Sequence, residues 1–265
     1  MNKRVKFGCC ENLDDVASFI AKLECSKEVL ISNPLDDWVI ERNRDSFRIE
    51  HIYNTNAIEG NTLTFGETAL VVNDNITIAE KSLICHLEAV GCAHAFDYVE
   101  GLAKTSLILT EQDIKQVHSL VLADKPQHRG IYKNVSVSIS GSNVVLCDPL
   151  LIPCKMQELV AEYNVSKVHE LIKIAEFHVF FEHIHPFRDG NGRTGRLLLN
   201  LELLRRGYLP INIKFTDRAN YMKSLETAQT TGNTTDFLWM VLRLLDMQQQ
   251  QHLLQLAQQS GNASC

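Results

Sequence analysis

The chain lacks any apolar run approaching the roughly 18 to 20 residues that a membrane-spanning helix needs. Lys3, Arg4 and Lys6 near its start are followed by no apolar segment of the secretory kind. A cytoplasmic protein with no membrane partner is expected. Proline (6 of 265 residues) and glycine (13) are scarce, which excludes collagen-like and low-complexity classes. Positive charge is not in excess: 26 Lys and Arg against 32 Asp and Glu leave −6, so no global field draws nucleic acid. None of the eight cysteines stands in a CxxC pair or in zinc-finger spacing, which predicts reduced, mostly buried thiols. The P-loop pattern GxxxxGK[ST] is also missing.

What is present is helical periodicity in a chain with 45% apolar residues, enough for a sizeable core in one large or two smaller domains. Leu13, Val16, Phe19, Ile20 and Leu23 stripe a first helix, and a second runs from about Leu35 to Glu59, stopped by Gly60. Thr77 with Glu80 reads as a capping box opening a long helix, and Thr110 with Asp113 as another. Further helices are expected over 153–163, 166–184, 193–206, 217–230 and 235–257. Between Gly130 and Pro149 the pattern changes to alternation, with Val135, Val137 and Ile139 interleaved by Ser136, Ser138 and Ser140, then Gly141-Ser142-Asn143. That predicts a β-hairpin, which has to rest on the helices or serve something that binds it. Gln248 to Gln251 and the last five residues are expected to fray.

The chemistry is concentrated in residues 178–196, HVFFEHIHPFRDGNGRTGR. An apolar helix is stopped by Pro186, a polar loop follows, and a strongly helical run begins at once. Backbone N–H groups of Gly190, Asn191 and Gly192 then lie at a helix N-terminus, where unpaired donors and the positive dipole end favour phosphate. Arg193 and Arg196, three apart, project toward one anion. Asp189 offers a hard oxygen suited to Mg²⁺ with substrate phosphates. His185 is placed to take a proton from an attacking hydroxyl, since the unperturbed pKa of histidine lies near neutrality. Gly190, Gly192 and Gly195 spell GxGxxG, but a dinucleotide fingerprint follows a strand and this follows a helix. His183 and His185, two apart, point to different helix faces and make a poor metal pair; His178 and His183 read as structural.

His185-Pro-Phe-Arg-Asp-Gly-Asn-Gly-Arg-Thr-Gly-Arg196 matches the Fic family motif HPFx[DE]GNGRxxR at every fixed position, and the chain resembles that family over about 107–245. The resemblance implies an all-α, Fic-fold helical bundle with a small β-hairpin flap (130–149) and N-terminal helices. It divides the chain into an N-terminal region (1–106), a catalytic core (107–245) and a Gln-rich tail (246–265). The implied activity is transfer of AMP from ATP, with Mg²⁺ or Mn²⁺, to a Ser, Thr or Tyr hydroxyl of target proteins and of the chain itself. On this resemblance His185 is the base and Asp189 the metal ligand. Gly190, Asn191, Gly192, Arg193, Thr194, Gly195 and Arg196 hold the phosphates, with Arg196 nearest the γ-phosphate. Phe187 anchors the loop in the core. Val137, Ser138, Ile139 and Ser140 line the nucleotide pocket and dock the target as an added strand. Tyr221 and Gln229 border the nucleoside. A homodimer through the N-terminal helices is a further expectation.

Residues 55–61, TNAIEGN, end the second predicted helix with Glu59 at its negative dipole end, where a carboxylate is disfavoured and calls for a partner. The segment resembles the Fic inhibitory motif [ST]xxxE[GN], which implies that Glu59 pairs bidentately with Arg196 and keeps it from the γ-phosphate. In some relatives the same glutamate helps remove AMP, so that activity stays open. Two alternatives remain beside the autoinhibited adenylyltransferase: an idle Fic-like interaction module, or a transferase using another nucleotide donor. The filled motif speaks against the first.

Overall fold

A computed structural model describes residues 5–105, 107–136 and 146–262, with the backbone alone at 13, 261 and 262. Ten α-helices occur among the described residues: α1 (Leu13–Ser32), α2 (Asp37–Ile58), α3 (Phe65–Asn73), α4 (Leu83–Ala103), α5 (Glu111–Val121), α6 (Ile152–Val165), α7 (Glu170–Ile184), α8 (Asn191–Arg205), α9 (Arg218–Thr231) and α10 (Thr235–Asn262). None is long and apolar enough to cross a membrane.

α8 is the axis of the bundle. It packs against α4 and α7, with α5 and α2 closing the remaining sides. Its buried set therefore runs around the whole helix and includes Arg193, Arg196, Asn200, Glu202 and Arg205 besides five leucines. Charges buried this way need partners. Glu202 accepts from the Tyr163 hydroxyl at 2.6 Å and from Arg205 at 2.7 Å, and Asn200 pairs with both backbone groups of Ile211. α4 and α5 meet closely at Gly91, where a Cβ would lie 2.7 Å from the Leu120 carbonyl oxygen.

Residues of α1, α2 and α4 share one apolar cluster with α5 to α10, so the N-terminal helices are built into the same core as the motif. α10 continues without a break past Leu245 to Asn262. The expected fraying of Gln248 to Gln251 is corrected here: Gln249 is buried and donates to the Leu23 carbonyl of α1 at 3.1 Å, which anchors the Gln-rich stretch. The capping box at Thr77 and Glu80 is also corrected. α4 starts at Leu83, with Ser82 accepting from the Cys85 N–H, while Glu80 lies in a turn at φ 62°. A box does form at Thr64 and Glu67, opening α3, a helix the periodicity did not announce. Of the thiols, Cys10, Cys92 and Cys147 are buried, whereas Cys25 and Cys154 are exposed. Of the hairpin predicted over 130–149, residues 137–145 lie outside the described residues, and the described parts at 131–136 and 146–148 carry no regular structure.

Candidate active site

The loop between α7 and α8 is laced from within. His185 ends α7 in the left-handed region (φ 50°), its N–H on the Phe181 carbonyl at 2.9 Å. This turns the chain out of the helix just before Pro186. Asn191, the first residue of α8, accepts from the Phe187 N–H and donates to the Phe187 carbonyl, both at 2.9 Å. Its side chain thus fixes the loop, and only its backbone is free for an anion. Phe187 is fully buried, as expected of an anchor, and lies flat on His118 of α5 with ring centroids 3.6 Å apart.

His118, which sequence reasoning did not single out, ties three segments together. Its Nδ1 accepts from the Gly130 N–H at 2.9 Å, so Nε2 carries the proton and donates to the Asp189 carbonyl at 2.9 Å. Burial pushes its pKa down to about 4, keeping the ring neutral. No local pattern marks it; an i, i+4 pair with Leu122 on an amphipathic helix reads as plain core.

Gly190 caps α8 at φ 74°, a conformation that favours glycine, and no side chain caps the helix end. The first-turn N–H groups therefore remain available to an anion. Asp189 lies beside them, about half exposed. Its Oδ1 accepts from the Gly190 N–H at 2.6 Å and its Oδ2 from the Lys125 ammonium. Burial alone would raise this carboxyl, but Lys125 and Arg193 bring it below the usual range. No cluster of three or more metal-ligating side chains exists among the described residues. A lone carboxylate fits Mg²⁺ or Mn²⁺ only jointly with substrate phosphates, and here Lys125 occupies its Oδ2.

The two motif arginines are not open to solvent. Arg193 is buried and paired with Glu88 of α4 at 2.9 Å, with Asp189 at 3.7 Å. Glu88 in turn accepts from Asn61, just after α2, at 2.9 Å. Arg196 is 3% exposed and donates from Nε to the Thr55 hydroxyl (2.8 Å), and from Nη2 to the Thr55 carbonyl (2.9 Å) and to Glu59 Oε1 (2.7 Å). The Glu59 contact is thus through one oxygen, not the bidentate fork expected, because Thr55 occupies the guanidinium edge a fork would use. Burial alone would lower the Arg196 pKa, yet Glu59 outweighs it and the group stays charged. A Cβ on Gly192 would collide with Glu59 Oε1 and Arg196. The carboxylate therefore lies on the glycine face that the anion cradle presents. Arg218 supports the end of α2 by donating to the Ile58 carbonyl at 2.8 Å.

Thr194 is buried, its N–H on the Gly190 carbonyl at 3.0 Å. Gly195 leaves room for Glu182 of α7, whose Oε1 a Cβ there would meet. That oxygen has no hydrogen-bond partner, and burial pushes the Glu182 carboxyl up to about 8. The His185 imidazole is pushed down to about 4 by burial and by the Lys133 charge. Its Nδ1 is buried without a hydrogen-bond partner, 3.9 Å from Glu182 Oε2. Tyr221 is fully buried, its hydroxyl 2.9 Å from His178 Nε2 and its ring 5.7 Å from the Arg196 guanidinium. Gln229 is half-buried near the end of α9. Val137, Ser138, Ile139 and Ser140 lie outside the described residues.

Residues 108–203 match the Fic/DOC family model. A protein adenylyltransferase Fic from Nematostella vectensis is 33% identical over 234 residues, 84% of this chain and 52% of that protein. The protein of the same name from Drosophila willistoni is 32% identical over 214 residues, 79% and 42% of the two chains. The chain thus spans about half the length of these curated relatives. Among solved structures, Fic-1 from C. elegans superposes with a TM-score of 0.81 at 25% identity, covering 91% of this chain and 72% of that one. A Fic domain containing signaling protein from Bacteroides thetaiotaomicron gives 0.75 at 29%, covering 90% and 94%.

Proposed function

We propose, on the premise that residues 108–203 of this chain are a Fic domain, that it transfers AMP from ATP to a hydroxyl side chain of a target protein and is held in check by Glu59. The observation that carries this reading is the uncapped N-terminus of α8, with a neutral His185 on one side and Arg196 behind it.

In this reading His185 Nε2 accepts the proton of the target hydroxyl, whose oxygen attacks the α-phosphorus while pyrophosphate leaves. The imidazole is neutral at physiological pH and so ready to accept a proton. The negative charge of a bound triphosphate makes it more basic at the moment it is needed. The N–H groups of the first turn of α8 receive phosphate oxygens without reorganisation. Arg193, clamped by Glu88, holds the loop and Asp189, while Arg196 meets the terminal phosphate once Glu59 gives way. Asp189 would hold Mg²⁺ or Mn²⁺ after Lys125 moves off, and the ion would screen the phosphate charge. The flap residues Val137 to Ser140 dock the target segment, and Tyr221 and Gln229 border the nucleoside.

The test is transfer of label from α-³²P-ATP to protein. His185→Ala is expected to keep ATP affinity within about threefold while losing the 10²- to 10⁴-fold that a general base supplies. Undiminished labelling by this variant would sink the assignment.

A further inference from the structure

Five cations are buried among the described residues: Lys133, Lys173, Arg193, Arg196 and Arg205. Four of them face a carboxylate. Lys173 lies 3.0 Å from Glu170, Arg193 2.9 Å from Glu88, Arg196 2.7 Å from Glu59 and Arg205 2.7 Å from Glu202. Lys133 alone has none. It is 5% exposed, and its Nζ is shut off from solvent without a hydrogen-bond partner. A buried ammonium in this state is costly, and a protein keeps one where something else supplies the anion.

Its position says where that anion arrives. The Lys133 N–H donates to the Pro186 carbonyl at 2.9 Å, which pins the segment after α5 to the residue that follows the base. Its neighbour Tyr132 packs on Phe187 with centroids 5.4 Å apart and donates to Glu111 at 2.7 Å, so the backbone here is held from both sides. The ammonium acts on the His185 imidazole and on the buried Cys147 thiol. A base has to sit within hydrogen-bond reach of the hydroxyl that attacks phosphorus. A cation beside that base therefore sits beside the phosphate being transferred. Of the other cations at the loop, Arg196 is engaged by Glu59, Arg193 by Glu88 and Lys125 by Asp189, while Arg188 is exposed to solvent.

We infer that Lys133 is a phosphate-binding residue of this site: its buried, unpaired ammonium receives an oxygen of the phosphate that His185 helps to transfer. The inference rests on the adenylyltransferase reading and adds a residue outside the motif. Before nucleotide binds, the same charge adds to burial, the larger cause, in keeping His185 unprotonated. His185 faces Lys133, the carbonyl of Glu182 on its own helix and that residue's carboxyl 3.9 Å from Nδ1, Glu59 from α2 and Asp189 from the loop. Lys133 is the one cation in that set, and the others favour the protonated ring. Burial pushes the Lys133 ammonium down as well, with Cys147 opposing.

Lys133→Met and Lys133→Arg, made in a Glu59→Gly background, test this. The main-chain bond to Pro186 survives both substitutions. Followed by NMR of the imidazole C–H without nucleotide, His185 in Lys133→Met should titrate higher than in the parent, still held down by burial, and Lys133→Arg should restore the parent value. The rate of AMP transfer should fall about 100-fold in Lys133→Met, as when one oxyanion-hole donor is lost, with Lys133→Arg recovering most of it. A His185 titration unmoved by Lys133→Met, or transfer within threefold of the parent, overturns the inference. A parent that transfers nothing from ATP overturns the adenylyltransferase reading, and the titration then still decides whether the Lys133 charge faces His185.

Discussion

Removing the Glu59 carboxylate should release the enzyme by an amount the geometry sets. Glu59 makes one charge-assisted hydrogen bond to a buried guanidinium, and its own side chain is 34% exposed. Such a bond contributes about 1.5 to 3 kcal/mol, the lower end being apt where solvent reaches one partner. If the bond has to open before a γ-phosphate meets Arg196, the open form is present in about one molecule in ten to one in 150, since each 1.4 kcal/mol is tenfold. Glu59→Gly is therefore expected to increase AMP incorporation from α-³²P-ATP by about 10- to 150-fold at subsaturating ATP. Thr55→Val, which removes the acceptor of Arg196 Nε but leaves the Thr55 carbonyl and Glu59, should increase it far less. Labelling by Glu59→Gly within threefold of wild type would refute the latch. So would a Thr55→Val effect as large as that of Glu59→Gly, since the carboxylate would then not be the competing anion.

Two further predictions concern the buried side of α8. A Cβ on Gly195 collides with Glu182, so Gly195→Ala should destabilise the fold by about 1 to 3 kcal/mol and Glu182→Val should restore it in the double variant; thermal melts check both, and additive losses would refute the collision. The second is a pH effect. The folded-state pKa of Glu182 is raised to about 8 from 4.5, so its contribution is fully present below pH 4.5 and is lost as pH rises toward 8. Glu182→Gln should accordingly gain melting temperature over wild type between pH 5 and pH 8, and a gap that stays constant over that range would contradict the buried carboxyl.

Much of the site was legible because its signals are local. The His185 to Arg196 run shows a helix stop, a glycine-rich turn and a helix start in twelve consecutive residues, and each needs only its neighbours to be read. Glu59 was legible for a related reason: a carboxylate at the negative end of a helix is out of place unless something pairs with it. The partners that come from elsewhere in the chain were not legible. Glu88 on Arg193, His118 under Asp189 and Lys133 beside His185 all sit on helices or loops where periodicity explains them as core or surface. The two capping boxes make the same point. Thr64 with Glu67 and Thr77 with Glu80 are equivalent as patterns, but only the first opens a helix, because Thr68 and Val71 behind it are buried, whereas the chain after Thr77 turns at Glu80 and leaves capping to Ser82.

The division of labour around Arg196 follows from which of its partners water can reach. Thr55 is buried and grips the guanidinium through Nε and Nη2, while Nη1 has no partner and points, with Glu59, at the face of Gly192. When Glu59 leaves, the arginine keeps its rotamer, because the Thr55 contacts remain and Tyr221 still backs the guanidinium. In the proposed function a γ-phosphate would then meet a preorganised donor, at little cost in side-chain entropy. On the proposed reading, the same helix end supplies both the brake and the mount for the residue it brakes. A brake built this way weakens when the exposed partner alone is removed, and it takes the mount with it only when Thr55 goes too. The double variant Thr55→Val with Glu59→Gly should therefore transfer AMP more slowly than Glu59→Gly alone, although it has lost more of the inhibitory segment. A double variant faster than Glu59→Gly would mean that Thr55 only restrains Arg196 and does nothing to orient it.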